Sequence, residues 1–324
     1  MTHAIRIHEQ GGPEVLRWEE VEIGDPGPGE VRLRQTAVGL NFLDIYHRSG
    51  AYKLPELPTA LGMEAAGVVE AVGAGVTDLK PGDRVAYAGY KPGAYAEARI
   101  MPAARLVPLP DSIDDQHAAA MMLQGMTAEY LIRRTFEVKP GQTVLFHAIA
   151  GGVGLIACQW LKQIGATVIG TAGSDEKAEL ARAHGCDHVV VYSRENFVER
   201  VKEVTGGAGV PVVYDSVGKD TWEGSLDCLQ PRGLMVSFGA SSGTPADFSI
   251  NDLQFKGSLY ATRPTLLHYV ASRDDLLASA NALFAAVDKG LKVEINQTFA
   301  LKDTAEAHKA LVARKTTGST VLLP

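Results

Sequence analysis

Residues 144–174, VLFHAIAGGVGLIACQWLKQIGATVIGTAGS, change hydrophobic period twice, and that change limits the folds open to the chain. Residues 144–149 form a short apolar run with β-branched ends, suited to a strand buried on both faces. Gly151, Gly152 and Gly154 follow at once. Val153, Ile156, Ala157, Trp160, Leu161 and Ile164 then recur at helical spacing, and Gly165 stands where a left-handed residue caps a helix. A second strand is expected over 167–171. A strand, helix and strand joined this tightly make a right-handed crossover, so the two strands run parallel.

The glycine turn is suited to a phosphate. Backbone without Cβ atoms lets an anion come close, and a helix N-terminus offers unpaired N–H donors and partial positive charge. Gly151, Gly152, Val153 and Gly154 are therefore the expected cradle of a dinucleotide pyrophosphate. The first glycine of the usual G-x-G-x-x-G is missing, since Ile149 and Ala150 precede Gly151. A glycine-rich turn without a ligand is the plainer alternative. His147, within the first strand, reads as a core histidine rather than a catalyst.

An NAD-binding unit normally ends its second strand on Asp or Glu, about 20 residues on, to bond the adenosine ribose 2′-hydroxyl. Here the strand runs into Ala172, Gly173 and Ser174. Asp175 and Glu176 come next, but Ser174 is placed as an N-cap, which makes them first-turn acids favoured by the helix dipole. Small residues with a hydroxyl, and Lys177 nearby, leave room and donors for a 2′-phosphate. The expected cofactor is NADPH rather than NADH.

Apolar runs at 144–149, 167–171, 188–193, 210–215, 234–239 and 257–262 alternate with helical patterns at 155–164, 175–184, 195–204 and 221–229. That alternation predicts an α/β, doubly wound parallel sheet of six strands. The first ~120 residues instead show short strands separated by PGPGE, GAGVTD, KPGD and KPGA, the pattern of a β-barrel-like domain. After residue 262 a helix (276–289), a strand (297–301), a helix (304–314) and a strand (319–323) find no partner sheet in the nucleotide domain. They are expected to return to the first one. The division is therefore 1–122 with 263–324, and 123–262, with the cofactor in the cleft between them.

At 324 residues the chain is long enough for two such cores. A net charge of −7 argues against a nucleic-acid partner. No apolar run is long enough to span a bilayer, the N-terminus lacks a signal-peptide core, and three scattered cysteines suit a reducing cytoplasm.

With LGMEAAGVVEAVGAGV, KPGDRVAY and HAIAGGVGLIACQWLK in that order, the chain resembles the medium-chain dehydrogenase/reductase superfamily. NFLDIYHRSGAY, YDSVGKDTWEGSLDCLQPRGLMVSFG and GSLYATRP resemble its zinc-free quinone oxidoreductase branch, the group of zeta-crystallin and the bacterial NADPH:quinone reductases. The resemblance runs end to end. It implies a GroES-like catalytic domain, a Rossmann domain and a homodimer. Zinc-dependent relatives bind their metal through residues matching Asn41, Met63 and Leu123 or its neighbours, and none of these offers a thiolate or imidazole. The structural-zinc lobe is missing too, since AYAGYKPGAYAEA holds no cysteine. No metal site is expected. Without a Lewis acid an ordinary ketone is a poor acceptor, whereas a quinone or activated enone takes hydride at an electron-poor centre and delocalises the charge.

The resemblance also implies roles. Asn41 and Tyr46 would donate to the acceptor carbonyl, with Asp44 as a third catalytic residue; Asp44 is equally placed to cap a helix starting at Phe42, and Tyr46 to close a loop. Phe42 would lie near the nicotinamide ribose. Tyr52, Gln124 and Arg263 would face the substrate, Tyr52 alternatively only packing its loop. Thr127 would sit beside the nicotinamide and Tyr130 near a phosphate. Gly173, Ser174, Lys177, Tyr192 and Arg314 would surround the 2′-phosphate, and Val217, Phe238, Gly239 and Ala240 would hold the nicotinamide by backbone groups. The expected activity is a metal-free, flavin-free NADPH-dependent quinone reductase. Reduction of α,β-unsaturated carbonyls is the enzyme alternative, and a non-catalytic NADPH- or RNA-binding protein the other.

Overall fold

The computed structural model describes residues 1–54, 56–246 and 248–324. They form two units: Met1–Met126 with Val270–Asn281 and Val293–Pro324, and Thr127–Tyr269 with Ala282–Lys292. The division differs from the expected one. Residues 123–126 side with the first unit, and 263–269 and 282–292 with the second. Gln159 shows why for the last segment, since its amide exchanges hydrogen bonds with Lys292 N–H and C=O, both at 2.9 Å.

The first unit opens with β1 (Thr2–Ile7), β2 (Arg17–Val21), β3 (Glu30–Leu40), α1 (Phe42–Ser49) and β4 (Thr59–Ala60). It continues through β5 (Glu64–Val72), β6 (Arg84–Ala88), β7 (Ala98–Pro102), β8 (Val107–Pro108) and most of α2 (Asp115–Tyr130). α2 ends in one π-helical stretch, Leu131–Thr135. The second unit holds β9 (Thr143–Phe146), α3 (Gly152–Ile164), β10 (Thr167–Ala172), α4 (Asp175–Ala183), β11 (His188–Val191) and α5 (Phe197–Val204). It goes on through β12 (Val210–Asp215), α6 (Trp222–Asp227), β13 (Leu229–Ser237), α7 (Ile250–Phe255), β14 (Tyr260–Thr262) and α8 (Leu266–Tyr269). The chain then returns by α9 (Arg273–Asp288), β15 (Ile295–Ala300), α10 (Thr304–Val312) and β16 (Ser319–Leu323).

In the first unit a three-stranded sheet, β2-β1-β4, accompanies a seven-stranded one, β15-β16-β3-β5-β6-β8 with β7 also on β3. The returning β16 pairs antiparallel with β3, so the tail adds strands to the sheet of the first unit. β3 turns Val31, Leu33, Gln35 and Ala37 inward by its two-residue period, onto a core with Ile5, Ile7, Leu61, Tyr87, Tyr95 and Met101.

The second unit's sheet runs β11-β10-β9-β12-β13-β14, every neighbouring pair parallel. Some boundaries move, each for a local reason. β9 stops at Phe146 because Ala148 takes a left-handed φ of 54°. β13 begins early, at Leu229, through a bulge opposite Val210. The strand expected from 257 starts only at Tyr260, since Gly257 and Ser258 both have positive φ. α5 starts at Phe197 because the Asn196 side chain caps it, accepting from Val198 and Glu199 N–H.

Candidate active site

All strands of the second unit run parallel, so their C-terminal ends share one edge of the sheet. The order reverses at β9, and ligands of such sheets bind at that edge beside the reversal. The expected cofactor residues of this unit follow those ends one after another. Gly151–Gly154 succeed β9, Gly173–Lys177 succeed β10, and Tyr192 follows β11. Val217 follows β12, Phe238–Ala240 follow β13 and Arg263 follows β14.

α3 begins at Gly152 with Gly151 as an N-cap that has no side chain to bond, so its first-turn N–H groups stay open to an anion. A Cβ on Gly154 would lie 2.5 Å from Ile149 O and 2.6 Å from Ala148 O; no other residue fits there. On Gly151 it would meet only Ala148 O, at 3.3 Å. The departure at Ile149 is explained as well. Its side chain is fully buried against Gly170, and the residue before it, Ala148, takes a left-handed φ of 54°.

At the end of β10, Ser174 caps α4 by accepting from Lys177 N–H at 3.3 Å. Asp175 turns to Arg194 in a bidentate pair at 2.5 and 2.7 Å. The nearest acid is thus occupied outside the strand end. A Cβ on Gly173 would come within 2.7 Å of the Tyr192 hydroxyl, so these two candidates lie together.

After β12, Asp215 accepts from Val217 N–H (2.7 Å), Gly218 N–H (3.0 Å) and the Thr221 hydroxyl (2.7 Å), which fixes the turn bearing Val217. Arg263 Nη1 donates to Ser237 Oγ (2.9 Å) and Gly239 O (2.6 Å), so it braces the loop after β13. Thr127 and Tyr130 occupy the last turn of α2. Tyr130 stacks on Tyr269 at 4.3 Å, and burial pushes its phenol pKa up. His147 is a core histidine, fully buried between Thr171 and Ser225 at 3.0 Å each, with its pKa lowered by burial.

The first unit carries a different arrangement, made of buried side chains. Asn41 precedes α1, and its Nδ2 donates to Glu64 Oε1 at 2.5 Å. Glu64 Oε2 accepts from Leu123 N–H at 2.6 Å. Gln124 Nε2 reaches Asn41 Oδ1 at 3.3 Å, and Ser319 Oγ donates to Gln124 Oε1 at 2.7 Å. Glu64 lies opposite Gly39 in the β3–β5 register, where a Cβ would sit 2.4 Å from its Oε1 and 2.2 Å from Ala119 O. Glycine on β3 is what lets the carboxylate and α2 close in.

Asp44, third residue of α1, accepts from Asn41 N–H (2.9 Å) and the Tyr95 hydroxyl (2.8 Å) on Oδ2. It does cap the helix, and it is also tied to a buried network. Burial raises the pKa of Asp44 to about 7 and of Glu64 to about 8; hydrogen bonds to each offset only part of that rise. Phe42, Tyr46 and Tyr52 form one aromatic cluster, with centroids 5.3 Å (Phe42–Tyr46) and 5.1 Å (Tyr46–Tyr52) apart. Gln10 holds the loop bearing Tyr52 through the carbonyls of His47 and Tyr52. Arg314 lies just beyond α10, with a left-handed φ of 57°.

The positions where zinc-dependent proteins place ligands hold the Asn41 amide, the buried Met63 thioether and a backbone N–H at Leu123 already bonded to Glu64. That set does not fit zinc, and no group of three His, Cys, Asp or Glu among the described residues could hold a metal. Sequence reasoning does not single out Tyr95, His308, Ser319 or Glu64. Glu64 carried one usable signal, an acid directly beside the apolar run 65–69.

Residues 27–111 match the alcohol dehydrogenase GroES-like domain, and residues 152–268 the zinc-binding dehydrogenase family. The chain is 55% identical to a quinone oxidoreductase of Pseudomonas aeruginosa, covering all of both proteins. It is 50% identical to a 2-haloacrylate reductase of a Burkholderia species, covering all of this chain and 99% of that one. The crystal structure of Escherichia coli quinone oxidoreductase complexed with NADPH superposes with a TM-score of 0.98, at 50% identity over 99% of this chain and 100% of that chain.

Proposed function

The chain belongs to the medium-chain dehydrogenase/reductase superfamily, in its quinone oxidoreductase branch, and on that premise we propose that it is an NADPH:quinone oxidoreductase working without metal or flavin. The observation that carries this reading is the bond between Asn41 and Glu64, 2.5 Å long, because an amide stands where a zinc ligand would be needed to reduce an unactivated ketone.

NADPH supplies the hydride when bound. The residues around it have simpler tasks. The first-turn N–H groups of α3 bind the pyrophosphate, and Gly173, Ser174, Lys177, Tyr192 and Arg314 hold the 2′-phosphate. Thr127 and the backbone at Val217 and Phe238–Ala240 orient the nicotinamide. Asn41 has one amide hydrogen beyond the one given to Glu64, and donates it to the quinone carbonyl oxygen as charge builds there. Tyr46 donates to the same oxygen, Tyr52 stacks on the ring, and Gln124 fixes the Asn41 amide.

Turnover of 1,4-naphthoquinone, a 2-alkenal and 2-chloroacrylate with NADPH and with NADH tests the reading. The quinone with NADPH is expected to be fastest; faster turnover of either unsaturated acid derivative or aldehyde would overturn it.

We infer a homodimer and a cytoplasmic location as well. β14 is an outer strand of its sheet, and Tyr260 on it is 63% exposed, with Phe255 and Ile250 of α7 at 80% and 72%. An open apolar edge of this kind favours pairing with a second copy. Light scattering should give twice the 34.5 kDa chain mass, and a monomer would refute the pairing. All three cysteines are buried and unbridged, as suits a reducing compartment, and no described helix is long and apolar enough to cross a membrane.

A further inference from the structure

Segments far apart in the sequence meet at Asp44 inside the first unit. Arg48, one turn along α1, donates from Nη1 to His308 Nδ1 of α10 at 3.1 Å. A guanidinium only donates, so Nδ1 must offer its lone pair and the ring proton sits on Nε2. That nitrogen faces the Tyr95 hydroxyl at 3.0 Å, and Tyr95 gives its own proton to Asp44 Oδ2 at 2.8 Å. Asp44, Tyr95 and His308 are fully buried and Arg48 nearly so. Burial, reinforced by the Arg48 charge, lowers the His308 pKa to about 3, in keeping with a neutral ring. Every donor points the same way, towards the start of α1.

A chain of this kind can carry protons or hold a helix, and its far end decides which. To pass a proton to Tyr95, His308 would have to take another at Nδ1. Nδ1 faces a guanidinium, which does not release protons. The wire is therefore closed at that end. Arg48 is itself anchored, since its Nε donates to Gly11 O (3.2 Å) and its carbonyl accepts from Gly11 N–H (2.8 Å).

We propose that Tyr95 and His308 are positioning residues of the reaction, bracing through Asp44 the first turn of α1 and so fixing Asn41, whose backbone N–H shares the same carboxylate oxygen. The proposal deepens the reading of Asn41 as the partner of the quinone and rests on it.

The test compares Tyr95→Phe, His308→Leu and His308→Gln with the wild-type protein, using NADPH and 1,4-naphthoquinone. Tyr95→Phe and His308→Leu should lower kcat/KM for the quinone by on the order of ten- to a hundredfold, with the NADPH Kd held within about twofold. Glutamine offers one acceptor and one donor and should recover most of the loss. Leucine has similar bulk and should not. A purely space-filling role predicts the reverse order. The solvent deuterium isotope effect should be the same in Tyr95→Phe and wild type; its disappearance would show a proton relay and overturn the brace. Amide hydrogen exchange over residues 41–45 should quicken in Tyr95→Phe, and unchanged exchange would also overturn it. If the wild-type protein reduced no quinone, the functional reading would fail while the exchange measurement still decided the brace.

Discussion

The two units meet the needs of a reaction in opposite ways. The C-terminal strand edge of the second unit is built from backbone: open N–H groups at α3, glycines packed on carbonyls, and turns ordered by Asp215. The cluster of the first unit is built from buried side chains, with Glu64, Asn41, Gln124 and Asp44 each fixed by a partner from another segment. A backbone-made site tolerates many side chains but no added Cβ. A side-chain-made site is vulnerable to losing one polar atom. Loss of shape should disable the first kind, and loss of charge or hydrogen bonding the second.

The largest effect expected from this contrast is at Gly154. Gly154→Val drives a branched side chain into two carbonyls at about 2.5 Å, which costs on the order of 1–3 kcal/mol and displaces the start of α3. NADPH affinity, read by fluorescence titration, should fall by at least about a hundredfold. Gly151→Ala meets one carbonyl at 3.3 Å and should bind within about tenfold of wild type. Equal losses in the two variants would break the account of a cradle packed on its own turn.

The first unit should instead answer to pH. Glu64 and Asp44 keep their protons in the folded state up to about 8 and 7, well above where they lose them unfolded. The stability they contribute is therefore complete at acid pH and fades as pH rises through those values. His308 runs the other way, because its lowered pKa makes stability fall as pH drops from 6.5 towards about 3. Above pH 6.5 only the two acids act. Urea unfolding should show a stability that declines from pH 6.5 to 8 by up to about 1 kcal/mol per pH unit for each acid that titrates. Glu64→Gln should flatten the decline and lower kcat while leaving NADPH affinity alone. An unaltered slope in that variant would remove Glu64 from the account.

The same contrast explains what the sequence made legible. Backbone sites follow local rules, so the glycine turn, the Ser174 cap and all six parallel strands could be read from runs of 10 to 30 residues. Two of the boundaries that moved did so at Ala148 and Ser258, non-glycine residues with positive φ that no propensity announces. The side-chain cluster is non-local. Tyr95 and His308 are 213 positions apart, and Ser319 and Gln124 are 195. No window of sequence contains either pair. Asn41, Asp44 and Gln124 were found only through the family resemblance, which supplied their positions but none of their partners.

The smallest effect lies where the two kinds of site meet, at Lys177. Its backbone N–H donates to the capping hydroxyl of Ser174, a local and structural role, while its side chain is assigned to the 2′-phosphate. Lys177→Ala keeps the first role and deletes the second. It should weaken NADPH by about tenfold, the worth of one charge-assisted contact, and leave NADH and thermal stability nearly unchanged. Ser174→Ala deletes both kinds of role at once: losing the cap costs about 1 kcal/mol of stability, and the lost hydroxyl also weakens NADPH. Discrimination between the two cofactors should therefore fall in both variants, but only Ser174→Ala should lower the melting temperature. If Lys177→Ala bound NADPH as tightly as wild type, the phosphate would have to be held by the other groups assigned to it, and the assignment of the Lys177 side chain would fall.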